Sequence, residues 1–306
     1  MKLPAFLLLA SLLVTAPLGG AEYFVATTGN DTANDGLSVG KPFRSFARAA
    51  SLTIPGDTVT VAAGTYNESF ALIRAGTAAA RIVFRSPVRG AAKIVGAVSI
   101  RTSYLDFTGF DVVSPNIHGI SLVGHHLRII NNDIHDSWGG NGIVGFACDY
   151  LTIEGNRCFR NGRDNSLQSS GIALFQPLAF DQAPGFHIII RGNHCSDNES
   201  RVNTLGNGIL LEDFRNTLEG STAGSYRPAT LVENNLLTNN VGRAIVITGS
   251  DNVVVRNNTA WGNLRIRNTT ATAATNGTFS SIDTDGIRWI NNIVSVRGVP
   301  DVAVFE

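Results

Sequence analysis

Short stretches of alternating apolar residues that end in asparagine recur along the chain, and this repeat limits the fold more than any other feature. Three aligned copies are Leu127–Asn132, Leu151–Asn156 and Ile188–Asn193, and three more end at Asn235, Asn258 and Asn292. The period is about 22 to 24 residues, with insertions. Asparagine tolerates the left-handed backbone of a sharp corner, and stacked asparagines can hydrogen-bond along a ladder. We therefore expect each copy to stop at a corner occupied by asparagine.

A second strand is expected after each corner, because a small residue followed by isoleucine recurs at the same place in five repeats. These pairs are Gly119–Ile120, Gly142–Ile143, Gly171–Ile172, Gly208–Ile209 and Ala244–Ile245. Two registered strands per period, with no helix-length segment between them, predict an all-β fold, a right-handed parallel β-helix. The two-residue apolar period excludes a helical solenoid. A sandwich of antiparallel hairpins is the alternative, but it would not keep asparagine in one column.

The N-terminus has the layout of a secretory signal peptide. Met1–Lys2 precede an apolar run, Leu3–Val14, and small residues follow at 19–21. We expect cleavage after Ala21 and a protein that is secreted, periplasmic or on the cell surface. No stretch reaches the ~20 apolar residues that a membrane helix needs. Basic and acidic residues number 24 each, so charge favours neither nucleic acid nor a membrane surface as a partner.

The segment before the repeats is predicted to close one end of the solenoid. We expect residues 22–100 to form a cap and the first coils, and residues 101–306 the repeats, in a monomer. Phe43–Leu52 has apolar residues at the spacing of an amphipathic helix. Because the end of a β-helix exposes unpaired strands, we expect this helix to cover it. Short strands are predicted at Tyr23–Val25, Thr58–Ala62, Arg81–Arg85 and Lys93–Val95.

Two of the three cysteines, Cys158 and Cys195, fall in one column, two places after the corner asparagine. Their side chains are expected to point inward on adjacent coils, about 4.8 Å apart along the stack. Two buried thiols that act as small hydrophobes are the favoured interpretation, and a disulfide is the alternative. Together with Cys148, they are too few for a disulfide scaffold or a zinc site.

Three motifs near the N-terminus carry a resemblance to a known family. They are Tyr23–Asp31, Asn34–Gly36 with Lys41–Phe43, and Pro55–Val59 with Ala63–Tyr66. These motifs resemble the cap of secreted pectate-lyase-like β-helix proteins, and the pattern is similar to that of family nine polysaccharide lyases and of uncharacterised β-helix proteins built like them. The resemblance implies the fold, and an extracellular polysaccharide as partner.

The same resemblance implies a mechanism that this chain cannot follow in full. Family nine lyases are expected to use a lysine base beside a calcium ion held by aspartates. The lysines of this chain, Lys2, Lys41 and Lys93, all precede the repeats. The lysine mechanism therefore does not carry over to this sequence.

Insertions on the middle coils are expected to form the walls of a groove, the shape that an extended polymer needs. Phe146 and Phe175 should lie in one outward column as a floor on which sugars stack, and Arg163 and Arg201 lie on inserted loops as substrate-binding candidates. The insertions are Phe159–Ser170, Gln176–Gly185, Ser196–Gly206, Phe214–Arg227 and Leu264–Asp285.

Two carboxylates leave the end of a predicted strand in the same column as these phenylalanines. Glu212 and Asp213 could bind Ca²⁺ if a third acid, Asp181 or Asp251, lies on a neighbouring coil. Arg215 follows them, as a substrate-binding residue or as the ion-pair partner in a solvated acidic turn. A hydrolase would need two carboxylates across the groove, and Glu212 or Asp213 with Asp181 is the candidate pair.

Arg243 and His135 are the candidate catalytic residues. Lyases and C5-epimerases that act on uronic acids must neutralise the carboxylate and remove the proton at C5. Arg243 precedes a strand in the column of His118, Asn141, Ser170 and Asn207, and relatives with this fold are expected to use arginine for that task. His135 can act as a base because neutral imidazole titrates near neutrality, although a structural corner histidine is the alternative.

Two classes of function follow. The leading hypothesis is an extracellular carbohydrate-active enzyme, a lyase or else an epimerase or hydrolase, that acts on an acidic polysaccharide. The competing hypothesis is a non-catalytic β-helix that binds glycan or serves as an adhesion module. The groove-forming insertions favour the first class, and the missing lysines favour the second.

Overall fold

The computed structural model describes residues 19–165, 169–201, 205–218, 223–265, 277–296 and 302–305. Its paired strands are parallel. In chain order the elements are β1 (Glu22–Val25), α1 (Phe46–Leu52), β2 (Thr58–Val61), β3 (Gly64–Tyr66), β4 (Phe70–Leu72), β5 (Ile82–Arg85), β6 (Ala92–Val95), β7 (Val98–Arg101), β8 (Leu105–Thr108), β9 (Asp111–Val113), β10 (Ile120–Ile130), β11 (Asp133–His135), β12 (Ile143–Glu154), β13 (Arg157–Phe159), β14 (Ser169–Phe175), β15 (Phe186–Arg191), β16 (His194–Ser196), β17 (Gly206–Glu212), β18 (Ala229–Glu233), β19 (Leu236–Thr238), β20 (Ile245–Thr248), β21 (Val253–Arg256), β22 (Thr259–Trp261), β23 (Gly277–Ile282), β24 (Arg288–Ile290), β25 (Ile293–Ser295) and β26 (Val302–Phe305).

From β4 to β25 each coil has three strand segments, so the prediction of two per period is wrong. In β12 the first segment ends and the second begins at a kink where Ala147 and Tyr150 have φ values of 51° and 44°. β13 is the third segment, and its stack forms a separate sheet. A three-residue strand buries only one side chain, Cys158 in β13, so no alternation revealed it. We call the turn after the first segment the first corner, and the next two the second and third corners.

The predicted columns are confirmed as a right-handed parallel β-helix. Each isoleucine of the first segment lies in register with the one on the next coil and is fully buried. One apolar cluster extends from Val25 to Phe279, across the boundary at residue 100. The column contains Ile120, Ile143, Ile172, Ile209, Ile245 and Phe279.

The predicted asparagines form a ladder at the second corner. The backbone N–H and the Nδ2 of Asn156 both donate to Oδ1 of Asn193, at 2.9 and 3.1 Å, and Nδ2 also donates to the carbonyl of Ile129 at 2.8 Å. The left-handed backbone belongs to the preceding residue, Gly155 with φ 65°, and not to the asparagine itself. In four other coils that preceding residue is itself an asparagine in the left-handed conformation, Asn131, Asn234, Asn257 or Asn291. The prediction is therefore confirmed one position earlier than expected, and the ladder asparagine hydrogen-bonds the corner.

A second asparagine ladder, which was not predicted, lies at the third corner. There the backbone N–H of Asn161 donates to Oδ1 of Asn198 at 3.3 Å, and the N–H of Asn198 donates to Asn240 at 3.1 Å. Asn263 continues the column, since Asn240 Nδ2 donates to its Oδ1 at 2.8 Å. Because buried polar groups need partners, these ladders satisfy corner amides that water cannot reach.

The capping helix is confirmed, although it begins at Phe46 and not at Phe43. Phe43 forms a parallel bridge with Val25, and the Ser45 hydroxyl accepts a 3.1 Å hydrogen bond from the N–H of Arg48 as the N-cap. The buried ring of Phe46 stacks on Phe70, with ring centres 4.5 Å apart. The helix thus covers the apolar end of the first coils. The four predicted N-terminal strands are confirmed as β1, β2, β5 and β6, each with one end shifted by one residue.

The segment from Leu264 to Asp285, predicted as an insertion, contains β23, which pairs with β20. Residues 266–276 lie outside the described residues, as do residues 1–18 of the predicted signal peptide. Among the described residues, no helix is long and apolar enough to cross a membrane.

Cys158 and Cys195 lie in register on β13 and β16, as predicted, and both are fully buried free thiols. Burial raises the pKa of both Cys158 and Cys148, to about 12 for Cys148.

We expect a thiol reagent to find no reactive cysteine in the folded protein and three after denaturation without reductant. One thiol after denaturation would show a disulfide bridge.

Replacing Asn193 with alanine should destabilise the solenoid strongly. The change removes the acceptor of the Asn156 N–H and the donor to the carbonyl of Ile153, which lies 2.9 Å away. Two buried polar groups without partners should lower the free energy of unfolding by about 3 kcal/mol. Chemical denaturation measures the loss, and Asn67→Ala, at an exposed asparagine outside both ladders, is the control. Equal stabilities for the two variants would contradict this role.

Candidate functional site

The predicted outward column of the middle coils exists. Phe146, Phe175 and Glu212 lie in register on β12, β14 and β17. Phe146 is 44% exposed, and its ring stacks on that of Phe175 at 5.1 Å with an interplanar angle of 16°. Because the rings stack along the helix axis, the faces they share are closed to a ligand. The predicted sugar-stacking floor therefore offers mainly ring edges.

Most of the same face is covered. Val144, Ala173, Leu210 and Val246 point away from the main core, yet all four are buried in a second apolar cluster against which Phe175 packs. A bare sheet face would expose these side chains. The groove predicted over the middle coils is therefore reduced to a narrow row along Phe146 and Phe175.

The predicted calcium ligands are not brought together. Both carboxylate oxygens of Asp213 are occupied, because they accept hydrogen bonds from Thr217, Leu218 and Gln176 at 2.7 to 3.0 Å. Glu212 is half-buried beside it, and burial, followed by the charge of Asp213, raises the pKa of its carboxyl. Asp213 thus fastens the loop that follows it.

The other two acids have different partners. Asp251 forms a bidentate ion pair with Arg215, which also binds Asp283 at 2.8 Å. Asp181 accepts a 2.7 Å hydrogen bond from the hydroxyl of Tyr150. Nowhere in the described ranges do three acids, histidines or cysteines gather as metal ligands. These residues do not fit a calcium ion, and Arg215 is held as the partner of the acidic turn.

Arg243 lies at the third corner, far from Glu212. Its backbone N–H donates to Oδ1 of Asn207 at 3.0 Å, as part of the predicted polar column. Burial lowers the pKa of Arg243. Arg243 lies five residues before Thr248, the register partner of Glu212, and five strand residues extend roughly 17 Å. The predicted cation and the predicted acids therefore do not share one site.

His135 lies between two carboxylates. Its Nε2 is 2.8 Å from Asp111 and its Nδ1 is 2.6 Å from Asp136, which in turn binds Arg160. Burial lowers the pKa of His135, but the hydrogen bonds to both acids outweigh it and raise the pKa overall. With both nitrogens occupied, the imidazole has the geometry of a structural corner histidine. Arg163 and Arg201 both lie on the third corner, with the Arg163 guanidinium 5.9 Å from the centre of the Trp138 ring.

A column of stacked rings at the first corner was not predicted. Tyr104, His126, Tyr150 and His187 occupy the same position on four successive coils, with ring centres 4.4, 4.3 and 3.9 Å apart. The first three have left-handed φ angles of 55°, 55° and 44°. Because such angles are strained for bulky residues, the surrounding structure must hold these corners in place.

A buried carboxylate anchors this corner. Asp149 accepts hydrogen bonds from the hydroxyl of Tyr226 and the N–H of Phe180, both at 2.6 Å, and lies 3.1 Å from Nδ1 of His187. Tyr226 and Phe180 belong to the predicted insertions 214–227 and 176–185. Since a buried carboxylate is tolerated only when it is hydrogen-bonded, Asp149 fastens both insertions to the corner.

The ring column borders an open cavity of about 180 Å³. The positively charged side chains are Arg81, which is held by Asp106 at 2.6 Å, and Arg128, which lies 3.7 Å from the same acid with its side chain 51% exposed. Arg128 is therefore the guanidinium that can reach a ligand. The cavity is lined by Arg81, His126, Arg128, Tyr150, Thr152, Phe186, His187 and Ile189.

Two of the three ionisable rings in this cavity, His126 and Tyr150, are uncharged at neutral pH. Burial, followed by the charges of His125 and Arg81, lowers the pKa of His126, so its imidazole is neutral at pH 7. The hydrogen bond to Asp181 raises the pKa of Tyr150 to about 12, so its hydroxyl keeps its proton. Nδ1 of His126 lies 2.9 Å from Nδ1 of His125, and its Nε2 has no hydrogen-bond partner within the described ranges. A neutral base, a proton donor and a cation thus meet at one pocket.

The sequence did contain one signal for this site. Tyr104, His126, Tyr150 and His187 each directly precede the apolar residue that opens the second strand segment. Four rings in one column are visible once the repeats are aligned. Their proximity to Arg128 across the strand, and the contact of Asp181 with Tyr150, depend on the coil geometry.

Two protein-family profiles match parts of the chain. The sequence profile described as "Right handed beta helix region" matches residues 92–260, more than half of the chain. A profile described as "Protein of unknown function (DUF1565)" matches residues 27–71. Among curated proteins, none matches the chain significantly.

Several solved structures have a similar fold. Pectate lyase Pel9A is 17% identical, with a TM-score of 0.59 over 90% of this chain and 77% of that one. GH136 lacto-N-biosidase from Eubacterium ramulus is 13% identical, with a TM-score of 0.52 over 90% and 68%. The PL6 family alginate lyase AlyGC is 16% identical, with a TM-score of 0.50 over 90% and 38%. At these identities the similarity demonstrates a common fold.

Proposed function

From the premise that this chain belongs to the right-handed β-helix family, we propose that it is an extracellular lyase for an acidic polysaccharide, with its active site in the pocket at the first corner. The observation that carries the proposal is the convergence of Arg128, His126 and Tyr150 on one cavity. A pectate lyase and an alginate lyase among the structures of similar fold support the class of substrate. The layout of the N-terminal segment supports secretion.

The pocket offers each group that β-elimination from a uronate needs. Arg128 pairs with the substrate carboxylate and so makes the proton at C5 more acidic. His126 takes that proton on Nε2, and the electron pair of the broken C5–H bond forms the C4=C5 double bond. The C4–O bond then breaks, and the hydroxyl of Tyr150 turns from Asp181 and gives its proton to the leaving oxygen. Solvent afterwards returns His126 and Tyr150 to their starting states.

This mechanism uses no calcium ion, which agrees with the separate partners of Asp181, Asp213 and Asp251. Asp181 acts through Tyr150, because its negative charge keeps the phenol protonated until the leaving oxygen needs the proton. Phe186, which is 38% exposed, offers an apolar edge for the sugar ring.

Substitutions that keep an aromatic ring in the column should separate chemistry from folding. Tyr150→Phe and His126→Phe keep a ring in the stacked column but lack the hydroxyl and the imidazole. Each should lower kcat on polygalacturonate or alginate by about a hundredfold or more, since general acid–base groups contribute 10² to 10⁴. The ultraviolet absorbance of the unsaturated product measures the rate. His194→Gln, on another face, is the control. Full activity in both phenylalanine variants would overturn this active site.

The dependence of kcat/KM on pH provides a separate check. His126 must be neutral to accept a proton, so the rate should fall as the pH drops through its pKa, which lies below 6.5. Tyr150 has a pKa of about 12, so no decline is expected between pH 7 and pH 10. The residual activity of His126→Phe should lose the acidic decline. A wild-type rate that rises on acidification would contradict a neutral histidine base.

Binding without cleavage is the second candidate function, favoured by the absence of lysine from the repeats. In that case the protein would be retained on immobilised polygalacturonate or alginate but release no unsaturated product. Retention without product on every uronate tested, with or without calcium, would replace the lyase proposal with this one.

A further inference from the structure

We propose that the third corner carries a second glycan-binding groove, in which a pyranose polysaccharide chain lies along the helix axis without being cleaved. We call it the third-corner groove and define it by Trp138, Arg160, Arg163, Glu199, Trp261 and Arg265. It is separated from the pocket at the first corner by the first strand segments, and it does not depend on lyase activity there.

Two cavities of similar size form the groove. The first, of about 330 Å³, is lined by Asp136, Trp138, Arg160, Arg163 and Glu199. The second, of about 320 Å³, is lined by Asn239, Trp261, Gly262, Arg265, Ser295 and Val296. Both are open to solvent, and each contains one tryptophan and at least one arginine.

An ion pair joins the two cavities. Glu199 of the first cavity lies 3.4 Å from Arg265 of the second, and Arg265 also approaches Asp197 at 3.9 Å. The side chains of Glu199 and Arg265 remain 42% and 33% exposed. Their unused oxygens and N–H groups can hydrogen-bond the hydroxyls of a sugar that spans the pair.

The tryptophans have the exposure of binding residues. Trp138 is 37% exposed and Trp261 is 58% exposed, whereas the third tryptophan, Trp289, stacks on the core residue Phe279. A large exposed aromatic side chain next to polar groups is typical of a ligand surface. Arg163 lies 5.9 Å from the Trp138 ring centre and can bond to a ligand stacked there.

The separation along the helix axis of the strands that position the tryptophans fits one oligosaccharide. Trp138 follows β11 and Trp261 ends β22, and the register places these strands four coil steps apart. Four steps of about 4.8 Å extend roughly 19 Å. This is the length of a short oligosaccharide, so a disaccharide can reach only one tryptophan.

Charge in the groove is balanced. Asp136 pairs with Arg160 at 2.7 Å, and the acids Asp197 and Glu199 accompany Arg265. We therefore expect recognition by ring stacking and hydroxyl hydrogen bonds and not by net charge. Binding should then change little between 0.1 and about 0.5 M salt, where long-range attraction is screened.

The test is binding of neutral xylo-oligosaccharides of two and six units, which lack the carboxylate that the first-corner pocket recognises, to the full mature chain, followed by calorimetry. Trp138→Ala and Trp261→Ala should each weaken binding of the hexasaccharides at least fivefold. Affinity for a disaccharide should fall in only one of the two variants. Turnover of a soluble substrate should remain unchanged in both, which distinguishes this groove from the lyase pocket.

Ile73→Ala, at an apolar side chain that is 70% exposed outside the groove, is the control, and thermal unfolding confirms that all variants fold. Hexasaccharide affinity that is unaffected by both tryptophan changes would overturn the proposal. Equal losses for disaccharide and hexasaccharide in both variants would overturn the single-chain geometry. Binding that disappears at high salt would overturn recognition by stacking.

Discussion

The hydrogen-bonded asparagine ladders are the interaction on which the rest of the structure depends. A stacked coil must turn three times within about 23 residues, and each turn would leave amide groups without partners in a buried place. Asn156 and Asn161 supply these partners at two corners, because each side chain accepts a hydrogen bond from one neighbouring coil and donates one to the other. At the first corner of four described coils, stacked rings occupy the column where the other two corners have asparagine.

Asp149 fixes the positions of the side chains at the first corner. A carboxylate that is buried needs several donors, and it obtains them from two insertions and from His187. The insertion that Asp149 holds then brings Asp181 to the hydroxyl of Tyr150. The proton on Tyr150 therefore depends on how the buried acid that precedes it in the chain is hydrogen-bonded.

The charged residues that are most prominent in the sequence have structural partners. Asp213 fastens its own loop, Arg215 holds Asp251, and His135 lies between two acids. Residues at the ends of strands are easily mistaken for a catalytic set, because the chain places them where sites often occur. Their contacts show that residues of ion pairs and loop caps cannot be told from catalytic residues by their sequence positions alone. An exposed group with an unused polar atom, such as Arg128, is the better indicator.

The sequence alone determined the parallel β-helix, the inward columns, the neighbouring positions of Cys158 and Cys195 and the capping helix. These features follow from local patterns, an apolar period and a corner residue, that recur along the chain. It also determined that Phe146, Phe175 and Glu212 share a column. Only the tertiary structure decided which surfaces remain open, where the third strand segments lie and which acids are already occupied. The insertions cover parts of the surface and supply the partners of the charged side chains. Their paths follow no sequence period, and they bring together residues that are tens of positions apart.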